Sequence, residues 1–279
     1  MEKQIVCINW GTKYGAPYIN RLYAMVRKNI TPPFRFVAFT DTTEGVHGDI
    51  ECFDLPEMPG FMPKNTLGQW PKSRLWAPQL GDLTGPFLFV DLDVVITGSL
   101  DPFFEFGKPE DVVLARNPAK PIHKLGQTSI YRMPVGALAP LQKLFAEDPQ
   151  GVANKYRFEQ HFVTKNAPNG VVFWPSGWVR HFRIECIPPF PLNYFKAPSV
   201  PKGARVVIFA GNLNPPDAIV GQYNATLPHL SPLAHLKRAL AQKKKVKAIL
   251  HFLYPATWVK ESWDEADRSL EAEKIADSG

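Results

Sequence analysis

The segment Phe87-Leu88-Phe89-Val90-Asp91-Leu92-Asp93-Val94-Val95-Ile96 decides the reading of the fold. Every residue in it is apolar except Asp91 and Asp93. So apolar and β-branched a run reads as a strand buried on both faces, as in a parallel sheet. Ionised carboxylates cost several kcal/mol or more to bury unless something compensates them, so the pair calls for a physical reason. Side chains at i and i+2 of a strand share a face, and both carboxylates are expected to converge where the strand reaches the end of its sheet. Open α/β sheets bind ligands at that end. Two hard oxygen ligands on one face suit Mg²⁺ or Mn²⁺, which leave positions for water and phosphate oxygens. The alternative is a pair that starts a turn or makes salt bridges with nearby Lys or Arg; the apolar setting favours the metal.

Upstream, Ile5 to Asn9 reads as a buried strand running into the loop Trp10-Gly11-Thr12-Lys13-Tyr14-Gly15. Ile19, Leu22, Tyr23 and Val26 then fall on one helical face, and a second strand, Phe36 to Phe39, ends at Thr40-Asp41. Strand, helix and strand in this order imply a parallel, right-handed unit. A Pro, Met and Gly-rich loop, residues 56–68, precedes a short helix from Lys72 to Leu80. Downstream, strands are expected at residues 111–115, 129–133, 171–174 and 205–209, with helices near 140–146 and 156–165. Asp101 before Pro102 reads as a helix N-cap with proline in the first turn.

The loop GTKYG has neither the Rossmann nor the P-loop spacing, so a dehydrogenase or kinase is unsupported. The chain has 279 residues, 45% hydrophobic and 21% charged, the balance of a globular protein. One large α/β domain is expected. The 28 prolines are scattered without a repeat and imply stiff loops. Cys7, Cys52 and Cys186 lack a CxxC pair, so they support no disulfide framework or cysteine metal site. The net charge of +6 favours anionic partners, but no nucleic-acid reading motif accompanies it. With no signal peptide or membrane-length apolar run read from the sequence, the expected location is cytoplasmic.

Asp91-Leu92-Asp93, set in FLFVDLDVVITGSLDPFFEF, resembles the DxD signature of the nucleotide-diphospho-sugar transferases. It is most similar to that of glycosyltransferase family 8, which includes glycogenin and bacterial lipopolysaccharide sugar transferases. The similarity runs from residue 4 to about residue 220 and is weak outside a few blocks. It implies a GT-A fold, a mixed and mainly parallel sheet flanked by helices, over residues 1–230. The basic helix and polar tail of residues 231–279 would follow it.

By this resemblance Asp93 binds the metal directly, and Asp91 binds it directly or through water while touching the ribose. Lys72, with Trp76 one turn on, matches a cation before the DxD strand; Arg74 is a second candidate. Trp10, Gly11, Thr12 and Tyr14 occupy the loop that holds the base and ribose. Glu159-Gln160 stands where the family has an Asp-Gln helix start near the acceptor and transferred sugar, and Thr128-Ser129 where it has an Asn-Ser donor contact. Gly211 and Pro215 fit the C-terminal block and Asn212 offers an oxygen. Ala210 or Ile208 stands where a metal-binding histidine is expected, and Asn214 replaces a lysine.

The implied reaction is metal-dependent, retaining transfer from a nucleotide-sugar, a UDP-sugar favoured, to a glycan or lipid-linked acceptor. The alternatives are a degenerate sugar-nucleotide binder and a nucleotidyltransferase, for which GTKYG is a poor version of the basic glycine-rich loop. Finally, Lys237, Arg238, Lys243, Lys244, Lys245 and Lys247 interleave with apolar residues over 233–254, a pattern suited either to peripheral contact with the inner face of an anionic membrane or to an ordinary capping helix.

Overall fold

A computed structural model describes residues 2–120, 122–223, 228–242 and 244–277. Lys243 and the side chain of Lys245, both in the basic C-terminal segment, lie outside the described residues. The chain forms two compact units: Met1–Leu92 with Ser99–Ser176, and Asp93–Gly98 with Gly177–Gly279.

The first unit begins β1 (Gln4–Asn9), α1 (Ala16–Lys28), β2 (Arg35–Thr40), β3 (Glu51–Phe53), then a 3₁₀ turn (Trp70–Trp76) and β4 (Pro86–Val90). The next strand, β5 (Val95–Ile96), belongs to the second unit. The first unit resumes with α2 (Asp101–Glu105), β6 (Val113–Arg116), β7 (Gly126–Pro134), α3 (Ala139–Glu147), α4 (Pro149–Tyr156), α5 (Glu159–Asn166) and β8 (Val172–Phe173). Its seven strands lie in the order β3-β2-β1-β4-β7-β6-β8. Only β7 runs against its neighbours, so the sheet is mixed and mainly parallel.

The apolar runs place the strands. β1 is buried along its whole length and pairs in parallel with β4, Ile5 beside Leu88 and Val6 beside Phe89. Phe87, Leu88, Phe89 and Val90 are inaccessible to solvent, and each such side chain stabilises the fold by roughly 1.5–3 kcal/mol. The core beneath β4 is aromatic: Trp70 stacks on Phe145 at 5.1 Å, and Phe89 on Tyr131 at 4.8 Å.

Three expectations for this unit are corrected. The run Phe87–Ile96 is not one strand. β4 stops at Val90, residues 91–93 leave the ladder and turn, and Val95–Ile96 joins another sheet. The alternation argument therefore does not bring the two aspartates together; short acidic side chains favour turns, and the turn sets their position. The helix expected from Lys72 to Leu80 is the 3₁₀ turn, ended by Ala77, which is extended (φ −57°, ψ 148°) because Pro78 follows. Asp101 is the first residue of α2, and its carboxylate accepts from Lys3 Nζ at 2.5 Å and Thr31 Oγ1 at 2.9 Å instead of capping the helix.

The second unit holds β5, β9 (Val179–His181) and β10 (Val206–Ile208), with β10 central, antiparallel to β5 and parallel to β9. A π-helical turn (Phe182–Cys186) follows β9, and α6 (Pro215–Ile219), α7 (Pro232–Leu240), α8 (Lys245–Leu250) and α9 (Thr257–Asp277) complete it. The basic stretch 233–254 is thus two short helices rather than one. The polar tail is also corrected, to a 21-residue helix. Its Val259, Trp263, Ala266 and Leu270 are buried at helical spacing, a stripe that the many surrounding charges obscure. Among the described residues no helix is long and apolar enough to cross a membrane.

Candidate active site

The carboxyl end of β4 carries a buried polar network within the first unit. The backbone N–H of Asp91 donates to the Ser129 carbonyl at 2.8 Å, the last tie between β4 and β7. From the 3₁₀ turn, Lys72 reaches the Asp91 carboxylate, with Nζ 2.6 Å from Oδ1 and 2.8 Å from Oδ2. The same ammonium donates to the Thr128 carbonyl at 3.1 Å and lies 5.2 Å from the centre of the Phe89 ring. The Lys72 side chain is 7% exposed and that of Asp91 is 19% exposed, so this pair is screened little by solvent. A lone cation or anion here would be costly, and each charge stabilises the other.

Thr128 joins that pair to Glu159. Its hydroxyl donates to Glu159 Oε1 at 3.0 Å, and Gln69 N–H donates to Glu159 Oε2 at 2.8 Å. Glu159 is 4% exposed. Instead of an exposed acceptor-facing acid, it is an internal tie between α5, β7 and the 3₁₀ turn. Lys72, Trp76, Thr128, Tyr131 and Glu159 line one small cavity, and the buried Tyr131 hydroxyl meets no hydrogen-bonding partner. Burial, with the charges of Asp91 and Glu159, pushes the Tyr131 pKa well above the usual phenol range, so the hydroxyl stays protonated.

The other expected residues are placed as follows. Ser129 is buried, its hydroxyl accepting from the Gln127 amide, so it is engaged by the protein. Gln160 is half-buried, its carbonyl taken by Thr164 Oγ1 at 2.6 Å. Arg74 donates to the Pro56 carbonyl. Trp10 packs against the sheet core and Thr12 is exposed. Gly11, at φ +65°, donates its N–H to Asp41 Oδ2 at 2.7 Å, which ties the β1 loop to the end of β2. Tyr14 packs on Tyr18 at 4.8 Å, with Lys13 Nζ 4.3 Å from its ring centre. The loop expected to hold the base thus lies at the carboxyl end of β1, the strand beside β4.

In the second unit, Asp93 is the first residue, and Gly211 and Asn212 form an exposed turn after β10. A Cβ on Gly211, whose φ is +78°, would lie 3.7 Å from Arg183 Nη1. Asn214, in the place of the expected lysine, precedes α6, and its N–H donates to Asp217 Oδ2 at 2.9 Å.

Sequence reasoning missed Tyr131, Gln69 and Gln127. The signal available for Gln127 was the polar triplet Gln127-Thr128-Ser129 at the start of a buried strand; nothing in the order of residues brings Gln69 to Glu159.

Carboxylates such as those of Asp91 and Asp93 are hard-oxygen donors, the kind that Mg²⁺ and Mn²⁺ prefer. Lys72 does not exhaust Asp91, because each carboxylate oxygen accepts more than one bond.

No protein-family model and no curated protein matches the chain at the level of sequence. Solved structures do. The galactosyltransferase LgtC, determined in complex with donor and acceptor sugar analogs, superposes with a TM-score of 0.54 at 15% identity, over 76% of this chain and 88% of LgtC. The apo form of the glycosyltransferase GlyE of Streptococcus pneumoniae gives 0.55 at 9% identity, over 97% of this chain and 64% of GlyE. The bifunctional glycosyltransferase WbbM gives 0.51 at 13% identity, over 77% of this chain and 46% of WbbM. At such identities the likeness is one of architecture: this chain has the GT-A fold, resembling that of the family 8 type glycosyltransferases.

Proposed function

We propose that the chain is a divalent-metal-dependent glycosyltransferase of the cytoplasm. It moves a sugar from a nucleotide-diphospho-sugar, a UDP-sugar favoured, to a glycan or lipid-linked acceptor with retention of configuration. The observation that carries this reading is Asp91, at the carboxyl end of the central strand of a GT-A sheet, held by the buried Lys72 with Asp93 two residues further along the chain. Binding at that end of the strands is the rule for open α/β sheets.

In this reading Asp91 and Asp93 would hold Mg²⁺ or Mn²⁺, and the ion would supply positive charge to a departing diphosphate. Lys72 pairs with Asp91 and orients it, and the Thr128 carbonyl accepts from the same ammonium. A cation set in place beforehand favours the transition state, where negative charge builds, over the ground state. Glu159 holds Thr128 and Gln69 in place rather than taking a proton. That suits retention in which the acceptor hydroxyl attacks on the leaving-group side and a donor phosphate oxygen takes the proton. The loop of Trp10, Gly11, Thr12 and Tyr14 is assigned to the base and ribose, and Ser129, Gln160, Gly211 and Asn212 to the donor sugar and phosphates.

A thermal-shift screen of nucleotide-sugars with and without Mn²⁺, followed by turnover assays, tests this. Selective, metal-dependent stabilisation by one donor is expected. Asp93→Ala and Asp91→Asn should each lower turnover by about a hundredfold or more. Undiminished turnover in Asp93→Ala would refute the assigned role. One observation favours a second reading, a donor-binding protein without turnover: Asn214 stands where the resemblance expects a lysine, and its backbone is committed to α6. Tight donor binding with no transfer or hydrolysis would select it.

A further inference from the structure

The second unit contains a pocket whose titratable groups are, apart from Tyr223, all basic. Gly221, Tyr223, His229, His235, Arg238 and His251 are among its walls, and no acidic residue is among the described residues that line it. Two further cations act on it: Arg183, whose guanidinium carbon lies 4.9 Å from the centre of the Tyr223 ring, and Lys247; burial first, and then the charges of Lys247, Arg183 and His235, oppose protonation of His251. Neither Arg183 nor Arg238 has a carboxylate partner among the described residues. So many positive or protonatable groups without a counter-charge make a local field that favours an anion.

The groups are also held in place. His251 lies flat on Tyr223, ring centres 4.1 Å apart and planes 11° apart. His229 Nδ1 donates to the Gly221 carbonyl at 3.1 Å, which holds the ring in place and leaves Nε2 an acceptor in the neutral imidazole and a donor only in the imidazolium. His235 Nε2 donates to the Ala248 carbonyl at 2.9 Å, and its Nδ1 accepts from Arg238 Nη2 at 3.4 Å. That neutral tautomer aims Arg238 and leaves the rest of its donor fork unspent. Gly221 is required: at φ +71°, a Cβ there would lie 2.7 Å from His229 Nδ1 and 2.9 Å from Pro255.

We propose that this pocket binds a phosphate group, with Arg238 and His251 as its donors. Bidentate arginine and imidazole donors are the chemistry that recognises phosphate oxygens. The pocket is shallow and encloses little space of its own, so it would seat a phosphate group at its open mouth rather than enclose a whole nucleotide. The phosphate could belong to a free anion or to a lipid headgroup, and the experiment separates the two.

Isothermal titration of the full chain with inorganic phosphate should show saturable binding. Arg238→Gln should weaken it about tenfold, the effect of losing one charge-assisted bond. His251→Phe keeps an aromatic ring against Tyr223 while removing the nitrogens, and should weaken binding in the same direction. Lys237→Gln, which removes an exposed charge of α7 outside the pocket, should stay within about twofold. Thermal unfolding without phosphate checks that each variant is folded, and if Arg238→Gln is not, His251→Phe decides. Flotation with phosphatidic acid in phosphatidylcholine vesicles, compared with phosphatidylcholine alone, identifies the source. Co-flotation lost in Arg238→Gln assigns a headgroup, and phosphate binding without flotation assigns a soluble anion. Absence of saturable binding in the unsubstituted chain, or an equal loss in Lys237→Gln, overturns the proposal.

Discussion

Thr128 is the side chain on which the polar network of the first unit turns. Its carbonyl holds Lys72 and its hydroxyl holds Glu159, so one residue of β7 fixes a buried cation and a buried anion. Thr128→Val removes the hydroxyl at nearly constant shape and leaves Glu159 with one fewer donor, a loss of about 2 kcal/mol for a bond to a charged group. Tyr131→Phe is the contrast: the deleted hydroxyl meets no partner, and stability should change by less than about 0.5 kcal/mol. Urea unfolding of both variants checks this, and a large loss in Tyr131→Phe would mean that its hydroxyl is bonded after all. Asp91 drew attention because charge in an apolar run is costly, and it does lie in this network, paired with Lys72. Glu159 drew attention as a motif match, but its burial was not legible, since the Gln69 amide that satisfies it lies 90 residues away in the chain.

Elements were legible where a single period governs a segment. β1, β2 and α1 lie within a residue or a few of their expected bounds because each buries a continuous run or a helical stripe. The reading failed where tertiary contacts decide. Within Phe87–Ile96 the aspartate pair did offer the alternative of a turn and a salt bridge, both of which the structure has. No residue there announces that the chain then joins another sheet, and the apolar stripe of α9 is diluted by charge. The start of α2 is a further case, since Asp101 is held from outside its own helix, by Lys3 ahead of β1, by Thr31 and by Ser99. Burial alone would raise the Asp101 pKa; those bonds outweigh it and hold the group at about 2, below its usual 3.8. The stabilisation is therefore full above about pH 4 and is lost as the pH falls through about 2, an effect of about 2 kcal/mol. The unfolding free energies of the unsubstituted chain and of Asp101→Asn should differ by about that much at pH 6 and converge toward pH 2. A difference independent of pH would exclude the carboxylate as its source.

At the scale of the whole molecule the chain enters the second unit twice, first for Asp93–Gly98 and again from Gly177 onward. The first visit supplies β5. Thr97 and Gly98 N–H donate to the Arg205 carbonyl at 2.8 and 3.1 Å, and Thr97 Oγ1 donates to the Ala204 carbonyl at 3.0 Å. Val95 and Ile96 are buried, and β10 between β5 and β9 is buried throughout. Residues 177–279 expressed alone would leave one side of a buried strand without a ladder, and unpaired buried backbone groups are too costly for so small a sheet to sustain. That fragment should lack a cooperative thermal transition by circular dichroism. Joining residues 92–99 ahead of Gly177 through a flexible linker should restore one, because closing a short loop costs little more than (3/2)RT ln n in chain entropy. A cooperative transition in the bare fragment, unchanged by adding the segment, would show that β5 is dispensable to the second unit.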